Sequence, residues 1–123
     1  MKTIAYIEDD SDMIDLVSII LRRHGYHVTG FTESREILPR LESLQPELIL
    51  LDLMMPHVDG IEVYGEIKGQ EGMDKVPIVI ISAMKRAVDE INRGGNIQVE
   101  ACISKPFTID ELLETVRRVI GSA

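Results

Sequence analysis

The chain has 123 residues, a length that suits one domain spanning residues 1–123. Its formal net charge of −8 argues against nucleic acid or an anionic membrane as the main partner, because both are bound through lysine and arginine. The single cysteine, Cys102, excludes an internal disulfide and a metal site made of several thiolates. Neither a secretory signal nor a bilayer-length apolar run is present, so a cytoplasmic protein is expected.

Short apolar or β-favouring runs recur along the whole chain and predict five strands. The runs that precede Asp52 and Ser82 are apolar throughout, which is typical of strands buried on both faces of a sheet. A loop is predicted over residues 54–60, directly after the third strand. In chain order, the predicted strands are residues 3–7, 26–31, 47–51, 76–81 and 99–103.

A segment with apolar residues at helical spacing follows each predicted strand. The second helix is expected to begin after an N-cap at Ser34, and Pro39 should kink it or delay its start. The fourth helix, within residues 87–91, has the poorest pattern. The last helix has the strongest pattern, because a capping box of Thr108 and Glu111 precedes its apolar stripe.

Strands that alternate with helices indicate a parallel sheet with helices on both faces. The predicted fold class is therefore α/β, a flavodoxin-like doubly wound (βα)5 domain with a five-stranded parallel sheet in the order 2-1-3-4-5. In such folds, ligands bind at the carboxyl ends of the strands, near the point where the strand order reverses. The residues at those ends are Glu8-Asp9-Asp10, Asp52, Ser82-Ala83 and Ser104-Lys105-Pro106.

This set of residues predicts a cation site with phosphoryl-transfer chemistry. Carboxylates held close together repel each other, so a cation is needed between them. Hard oxygen ligands suit a hard octahedral ion such as Mg²⁺. With such an ion present, a carboxylate is able to attack phosphorus as a nucleophile, and a lysine nearby would neutralise charge on the transferred group.

The same motifs, in the same order, resemble the receiver domain of bacterial two-component response regulators, in particular the single-domain, chemotaxis-regulator-like kind. The resemblance covers essentially the whole chain. Each fragment is weak by itself, but together they are specific. The matching segments are Ile7-Glu8-Asp9-Asp10, Leu51-Asp52-Leu53-Met54-Met55-Pro56, Asp59-Gly60, Ile81-Ser82-Ala83 and Lys105-Pro106-Phe107.

The resemblance implies a phosphoacceptor and its metal ligands. Asp52 would accept the phosphoryl group, and the ion would be Mg²⁺ or Mn²⁺. Asp9 would bind this ion directly, and Glu8 would act through a water molecule. The backbone carbonyl of Met54 would be a further ligand, whereas Asp10 falls just after the acidic pair and is not expected to touch the metal.

The resemblance also implies how the phosphoryl group is held and where it comes from. The Ser82 hydroxyl and the Lys105 ammonium group would each bind a phosphoryl oxygen, and a cis peptide bond would precede Pro106. A histidine kinase or a phosphotransfer protein would be the donor. The chain would catalyse only its own phosphorylation and dephosphorylation, and it would signal by binding another protein.

Cys102 departs from the family pattern, and two methionines bear on the chemistry of the site. Cys102 stands where the family has an aromatic side chain that changes rotamer on phosphorylation, and it is interpreted as a small buried strand residue. Met54 and Met84 should line the rim of the site and, being apolar, should leave hydrolysis of the phosphate slow. Without an aromatic switch, the element that responds to phosphorylation is expected within residues 84–98, directly after Ser82 and Ala83.

Three other functions are compatible with parts of the sequence pattern. A receiver-like interaction module that is never phosphorylated disagrees with the complete set of site residues. A phosphatase of the haloacid dehalogenase type needs a second acid two residues after the nucleophile, and that position is Met54. A flavin carrier on the same fold needs a phosphate-binding loop after the first strand, where Glu8-Asp9-Asp10 would repel the phosphate.

Overall fold

The computed structural model describes residues 1–33, 37–55, 58–83, 86, 89 and 99–122, and for residues 54, 55, 58 and 59 it describes the backbone alone. The elements are β1 (Thr3–Ile7), α1 (Ser11–Arg22), β2 (His27–Phe31), α2 (Ile37–Leu44), β3 (Leu48–Asp52), β4 (Met54–Met55), β5 (Val58–Asp59), α3 (Gly60–Gly69), β6 (Ile78–Ser82), β7 (Ala101–Ser104) and α4 (Ile109–Ile120).

The five longer strands form one sheet in the order β2-β1-β3-β6-β7, and every pair in it is parallel. The flavodoxin-like order 2-1-3-4-5 predicted from the sequence is therefore confirmed, with β6 and β7 as its fourth and fifth strands. The order reverses between β1 and β3. The helix predicted within residues 87–91 and the N-cap predicted at Ser34 lie outside the described residues.

Three predicted strand ends were wrong by one residue, because Asp52, Ser82 and Ser104 are the last residues of their strands rather than the first residues after them. Asp52 pairs with Ile81 in the parallel register, and Ser82 pairs with Ser104. Backbone hydrogen bonds continue a strand whatever the side-chain polarity, so the apolar pattern ended too early. The functional side chains are thereby attached to the rigid edge of the sheet.

The loop predicted over residues 54–60 also needs correction. Its backbone contains the antiparallel pair formed by β4 and β5, and α3 begins directly at Gly60. A Cβ atom at Gly60 would lie 2.4 Å from the Cα atom of Leu53, so only glycine allows this close approach. The chain after Asp52 therefore folds back tightly onto the sheet edge.

Apolar side chains cover both faces of the sheet. Leu48 and Leu50 of β3 belong to one core cluster together with residues of α1 and α4, and Ile49 and Leu51 belong to the other cluster with residues of α2 and α3. Every residue of β3 and β6 is buried, as the apolar runs predicted. In the part of the chain that is described, no helix is long and apolar enough to cross a membrane.

Side-chain caps hold the starts of the two helices that flank the site. The Asp10 carboxylate accepts hydrogen bonds from the backbone N–H groups of Asp12 and Met13 at the start of α1. The Thr108 hydroxyl oxygen accepts one from the N–H of Glu111 at the start of α4, as predicted. Asp10 therefore acts as the N-cap of α1.

Candidate functional site

Two acidic side chains lie side by side at the carboxyl edge of the sheet. Glu8 directly follows β1, where its backbone N–H still donates to the carbonyl oxygen of Phe31 at 3.0 Å, and Asp52 ends the neighbouring strand β3. Both residues are buried, whereas the next acid, Asp9, is exposed. The crevice expected at the reversal of strand order therefore contains two buried carboxyl groups and one exposed carboxyl group.

Among the described residues, Lys105 supplies a positive charge to this site. Its Nζ atom lies 2.5 Å from Oε1 of Glu8 and 3.2 Å from Oδ2 of Asp52. The backbone N–H of Lys105 donates to the carbonyl oxygen of Ser82 at 2.8 Å, and the bond between Lys105 and Pro106 is cis, as the resemblance implied. The end of β7 therefore carries an ammonium group over the two buried carboxylates.

The donor atoms fit a divalent cation. Glu8, Asp9 and Asp52 each offer a carboxylate oxygen, and these oxygens lie within 4.8 Å of one another. When all three are ionised, the charge of Lys105 balances one of them, and two negative charges have no ion-pair partner among the described residues. Oε2 of Glu8 is buried and has no hydrogen-bond partner among the described residues. A hard divalent ion would satisfy both the charge and the unpaired oxygen.

The electrostatics of the site agree with this crowding of charge. Burial and the neighbouring Asp52 carboxyl group raise the pKa of Glu8 to about 7, although Lys105 acts in the opposite direction. Burial lowers the pKa of Lys105, but its hydrogen bond to Glu8 and the charge of Asp52 outweigh that effect and raise it. Lys105 therefore stays charged at neutral pH, and Glu8 is poised between its two protonation states.

Tyr6 is a site residue that the sequence reasoning missed. Its side chain is fully buried, and its hydroxyl group donates a hydrogen bond to Oε1 of Glu8 at 3.2 Å. Burial, followed by the charge of Glu8, raises the pKa of Tyr6 far above its ordinary value, so the hydroxyl keeps its proton. Side chains two positions apart on a strand lie on the same face of the sheet. The spacing of Tyr6 and Glu8 in the sequence was therefore the signal that could have predicted their contact.

The remaining predicted residues lie as follows. Ser82 is fully buried at the end of β6, and Ala83 is exposed directly after it. Met54 lies in β4, whereas Met84 and most of residues 84–98 lie outside the described residues. Cys102 is half-buried in β7, which corrects the expectation of a buried residue, and burial raises the pKa of its thiol to about 11. As an edge strand, β7 has a sheet neighbour on one side only, and this leaves Cys102 part of its exposure.

The fold and the site together define a doubly wound α/β domain with an acidic, lysine-capped crevice at its strand-order reversal. The chain belongs to the response regulator receiver domain family, whose profile matches residues 4–117. It is thus a receiver domain of two-component signalling, a class of domain that switches by phosphorylation.

Similar proteins agree with this assignment. The chain is 30% identical to the polar-differentiation response regulator DivK of Brucella ovis over 99% of this chain and 98% of that protein. It is 34% identical to the DNA-binding dual master transcriptional regulator RpaA of Synechocystis over 98% of this chain, but it spans about half (49%) of that relative's length. The receiver domain of sensor histidine kinase PA1611 from Pseudomonas aeruginosa, solved with a magnesium ion in its active-site cleft, superposes with a TM-score of 0.81 at 29% identity and 98% coverage of both chains.

Proposed function

We propose that this domain is a Mg²⁺-dependent switch that accepts a phosphoryl group on Asp52 from a histidine kinase or a phosphotransfer protein. The observation that carries this proposal is the position of the Asp52 carboxylate. It ends a central strand, lies 3.2 Å from the ammonium group of Lys105 and shares a cluster of carboxylate oxygens with Glu8 and Asp9. A nucleophile, a counter-charge and a metal-ligand set therefore occur together.

In the proposed reaction, a carboxylate oxygen of Asp52 attacks phosphorus while the bond from phosphorus to the donor's leaving group breaks. The leaving group departs with the electron pair, and an acyl phosphate remains on Asp52. Lys105 pairs with a phosphoryl oxygen and lowers the cost of the charge that develops there. Ser82, at the end of the adjacent strand β6, hydrogen-bonds another phosphoryl oxygen.

Mg²⁺ or Mn²⁺ would be held by Asp9, Asp52 and the backbone carbonyl of Met54, with Glu8 acting through water. When bound, such an ion neutralises negative charge between the acceptor and the incoming phosphoryl group. Support comes from the unpaired buried Oε2 of Glu8 and from the magnesium ion in the similar receiver domain of the Pseudomonas kinase. In this proposal the domain catalyses only its own phosphorylation and dephosphorylation.

The signal would leave through a protein partner rather than through nucleic acid. A net charge of −8 disfavours binding to a phosphate backbone. The DNA-binding function in the name of the Synechocystis relative belongs to a protein of which this chain spans 49%. We therefore expect phosphorylation to change the affinity of this domain for a downstream protein.

Intact-mass measurement after incubation with acetyl phosphate and Mg²⁺ tests the proposal. Wild type should gain one phosphoryl group, and the gain should disappear when EDTA replaces Mg²⁺. Asp52→Asn should gain none, because an amide is not a nucleophile of this kind. Asp74→Asn, which changes an exposed aspartate before β6, is the matched control and should be labelled like wild type. Equal labelling of Asp52→Asn would disprove the acceptor, and an unlabelled wild type would favour a module that is not phosphorylated.

A further inference from the structure

The buried hydroxyl group of Tyr6 reaches the acidic cluster from inside the protein. Tyr6 lies in β1, belongs to the core cluster covered by α1 and α4, and is surrounded there mainly by aliphatic side chains. A hydroxyl group in such a core is unfavourable unless it forms a hydrogen bond, and this one donates to Oε1 of Glu8. A core residue is thereby linked directly to the functional site.

Two donors meet on the same oxygen of Glu8. Oε1 accepts from Lys105 Nζ at 2.5 Å and from the Tyr6 hydroxyl at 3.2 Å, while Oε2 is buried and has no hydrogen-bond partner among the described residues. Because both donors lie on one side, the carboxylate is held in a single orientation. The oxygen that remains is the one available to a cation or to its water ligand.

We propose that Tyr6 is a positioning residue for metal binding, which holds the Glu8 carboxylate so that Oε2 stays available to the cation side of the site. This inference rests on the proposed function. It adds a residue from the apolar core to the metal-binding apparatus. Without the hydroxyl, Lys105 becomes the remaining donor to Oε1 of Glu8 among the described contacts, and Tyr6 no longer helps to fix the orientation of the carboxylate.

The hydroxyl has a second consequence when the domain is phosphorylated. In the proposed reaction, Lys105 turns toward the phosphoryl group and its contact with Glu8 weakens. The Tyr6 hydroxyl then remains on Oε1, so the buried carboxylate keeps one donor after the lysine has moved. When the lysine moves away, Oε1 of Glu8 therefore still accepts one hydrogen bond.

The chain offers a matched control. Tyr26 is also buried in the same core cluster, and its hydroxyl donates to the backbone carbonyl oxygen of Gly121 at 2.6 Å. Tyr6→Phe and Tyr26→Phe each remove one phenolic hydroxyl group and the hydrogen bond that it donates. Only the first change touches a carboxylate of the site. Both variants should lose some thermal stability in EDTA, because each loses a hydrogen bond.

Mg²⁺ affinity, measured by isothermal titration calorimetry, separates the two variants. Tyr6→Phe should bind Mg²⁺ more weakly than wild type, but by less than the about tenfold loss expected for Glu8→Ala, because its effect acts through that carboxylate. Tyr26→Phe should bind it like wild type. In a Glu8→Ala background, Tyr6→Phe should have little further effect, because its target is missing. Equal affinities of the two phenylalanine variants, or an undiminished effect without Glu8, would overturn the proposal.

Mg²⁺ binding and phosphorylation of the wild-type protein separate a failure of this inference from a failure of the proposed function. If wild type neither binds Mg²⁺ nor gains a phosphoryl group, the proposed function fails first, and the role of Tyr6 fails with it. If wild type does both and Tyr6→Phe matches Tyr26→Phe, only the inference fails. Should Tyr6→Phe not fold, isotope-labelled tyrosine in wild type provides the test. The Tyr6 ring resonance should shift on Mg²⁺ addition while that of Tyr26 does not, and an unmoved Tyr6 signal would count against the proposal.

Discussion

The ammonium group of Lys105 lies 2.5 Å from the carboxylate of Glu8, although 97 positions separate the two residues along the chain. Glu8 follows β1 and Lys105 follows β7, and in the sheet β3 and β6 lie between those strands. The lysine side chain therefore extends across the sheet edge and passes Asp52 on the way. This contact brings the proposed acceptor, its counter-charge and the acidic pair into one site.

The two members of the acidic pair should contribute unequally to Mg²⁺ binding. Glu8 is buried and already shares one oxygen with Lys105 and Tyr6, whereas Asp9 is exposed at the mouth of the site. Glu8→Ala should weaken Mg²⁺ binding about tenfold, as expected for a group acting through water. Asp9→Ala should weaken it more, since a direct ligand is lost. Calorimetric titration measures both, with Asp15→Ala as an exposed control on α1, and a larger loss for Glu8→Ala would reverse the assignment.

The raised pKa of Glu8 predicts that the metal-free protein becomes less stable as the pH rises. The ordinary pKa is 4.5 and the folded-state pKa is about 7, so between these values the folded state holds the proton more tightly than the unfolded chain. This contribution to the free energy of unfolding is fully present below about pH 4.5 and is lost as the pH rises through about 7. Lys105 adds no slope here, because it is protonated in both states throughout this window.

Urea unfolding in EDTA across this pH range tests the prediction. Glu8→Gln should flatten the pH dependence between pH 4.5 and 7, because the amide does not titrate. Glu114→Gln, at an exposed position of α4, should keep the slope of wild type. Saturating Mg²⁺ should reduce the slope in wild type by stabilising ionised Glu8. An identical slope in wild type and Glu8→Gln would assign the pH dependence to another group.

Cys102 should react slowly with alkylating reagents. Burial raises the pKa of its thiol from 9.0 to about 11, and the thiolate is the nucleophile. At mildly alkaline pH the thiolate fraction should therefore be about a hundredfold lower than for an ordinary cysteine. Mass spectrometry after iodoacetamide treatment would follow the rate. The urea-unfolded chain is the control and should react rapidly, and equal rates in the two states would contradict the burial effect.

Phosphorylation should act on residues 84–98 rather than through an aromatic side chain. Ser82 is the last residue of β6, two positions before this segment. Cys102, which is half-buried in β7, has no ring that could move between buried and exposed positions. Amide NMR with and without beryllofluoride should show its largest changes, beyond the active-site loops, within that segment. A response confined to α1 or α4, with residues 84–98 unchanged, would show that the signal takes another route.

Local pattern was sufficient to predict the five strands of the sheet, their order in it and the acids at the strand ends, but it missed the antiparallel pair of β4 and β5. Apolar runs before Asp52 and Ser82 encode buried strands, and buried strands alternating with amphipathic helices allow few topologies. The polar ends of β3, β6 and β7 were misplaced by one residue, because pairing of the backbone depends on the neighbouring strand and not on the side chain.

Only the tertiary structure decided which side chains of the site contact one another. The sequence placed Lys105 near the acids, but it did not show that Glu8 rather than Asp52 receives its shorter contact. The sequence pattern did not distinguish Tyr6 from the other residues of β1. Hydrophobic spacing is the same for a tyrosine that only fills space and for one whose hydroxyl group binds a carboxylate. Such contacts depend on the positions of atoms a few ångströms apart. Residues distant in sequence reach those positions only when the strands that carry them pair in one sheet.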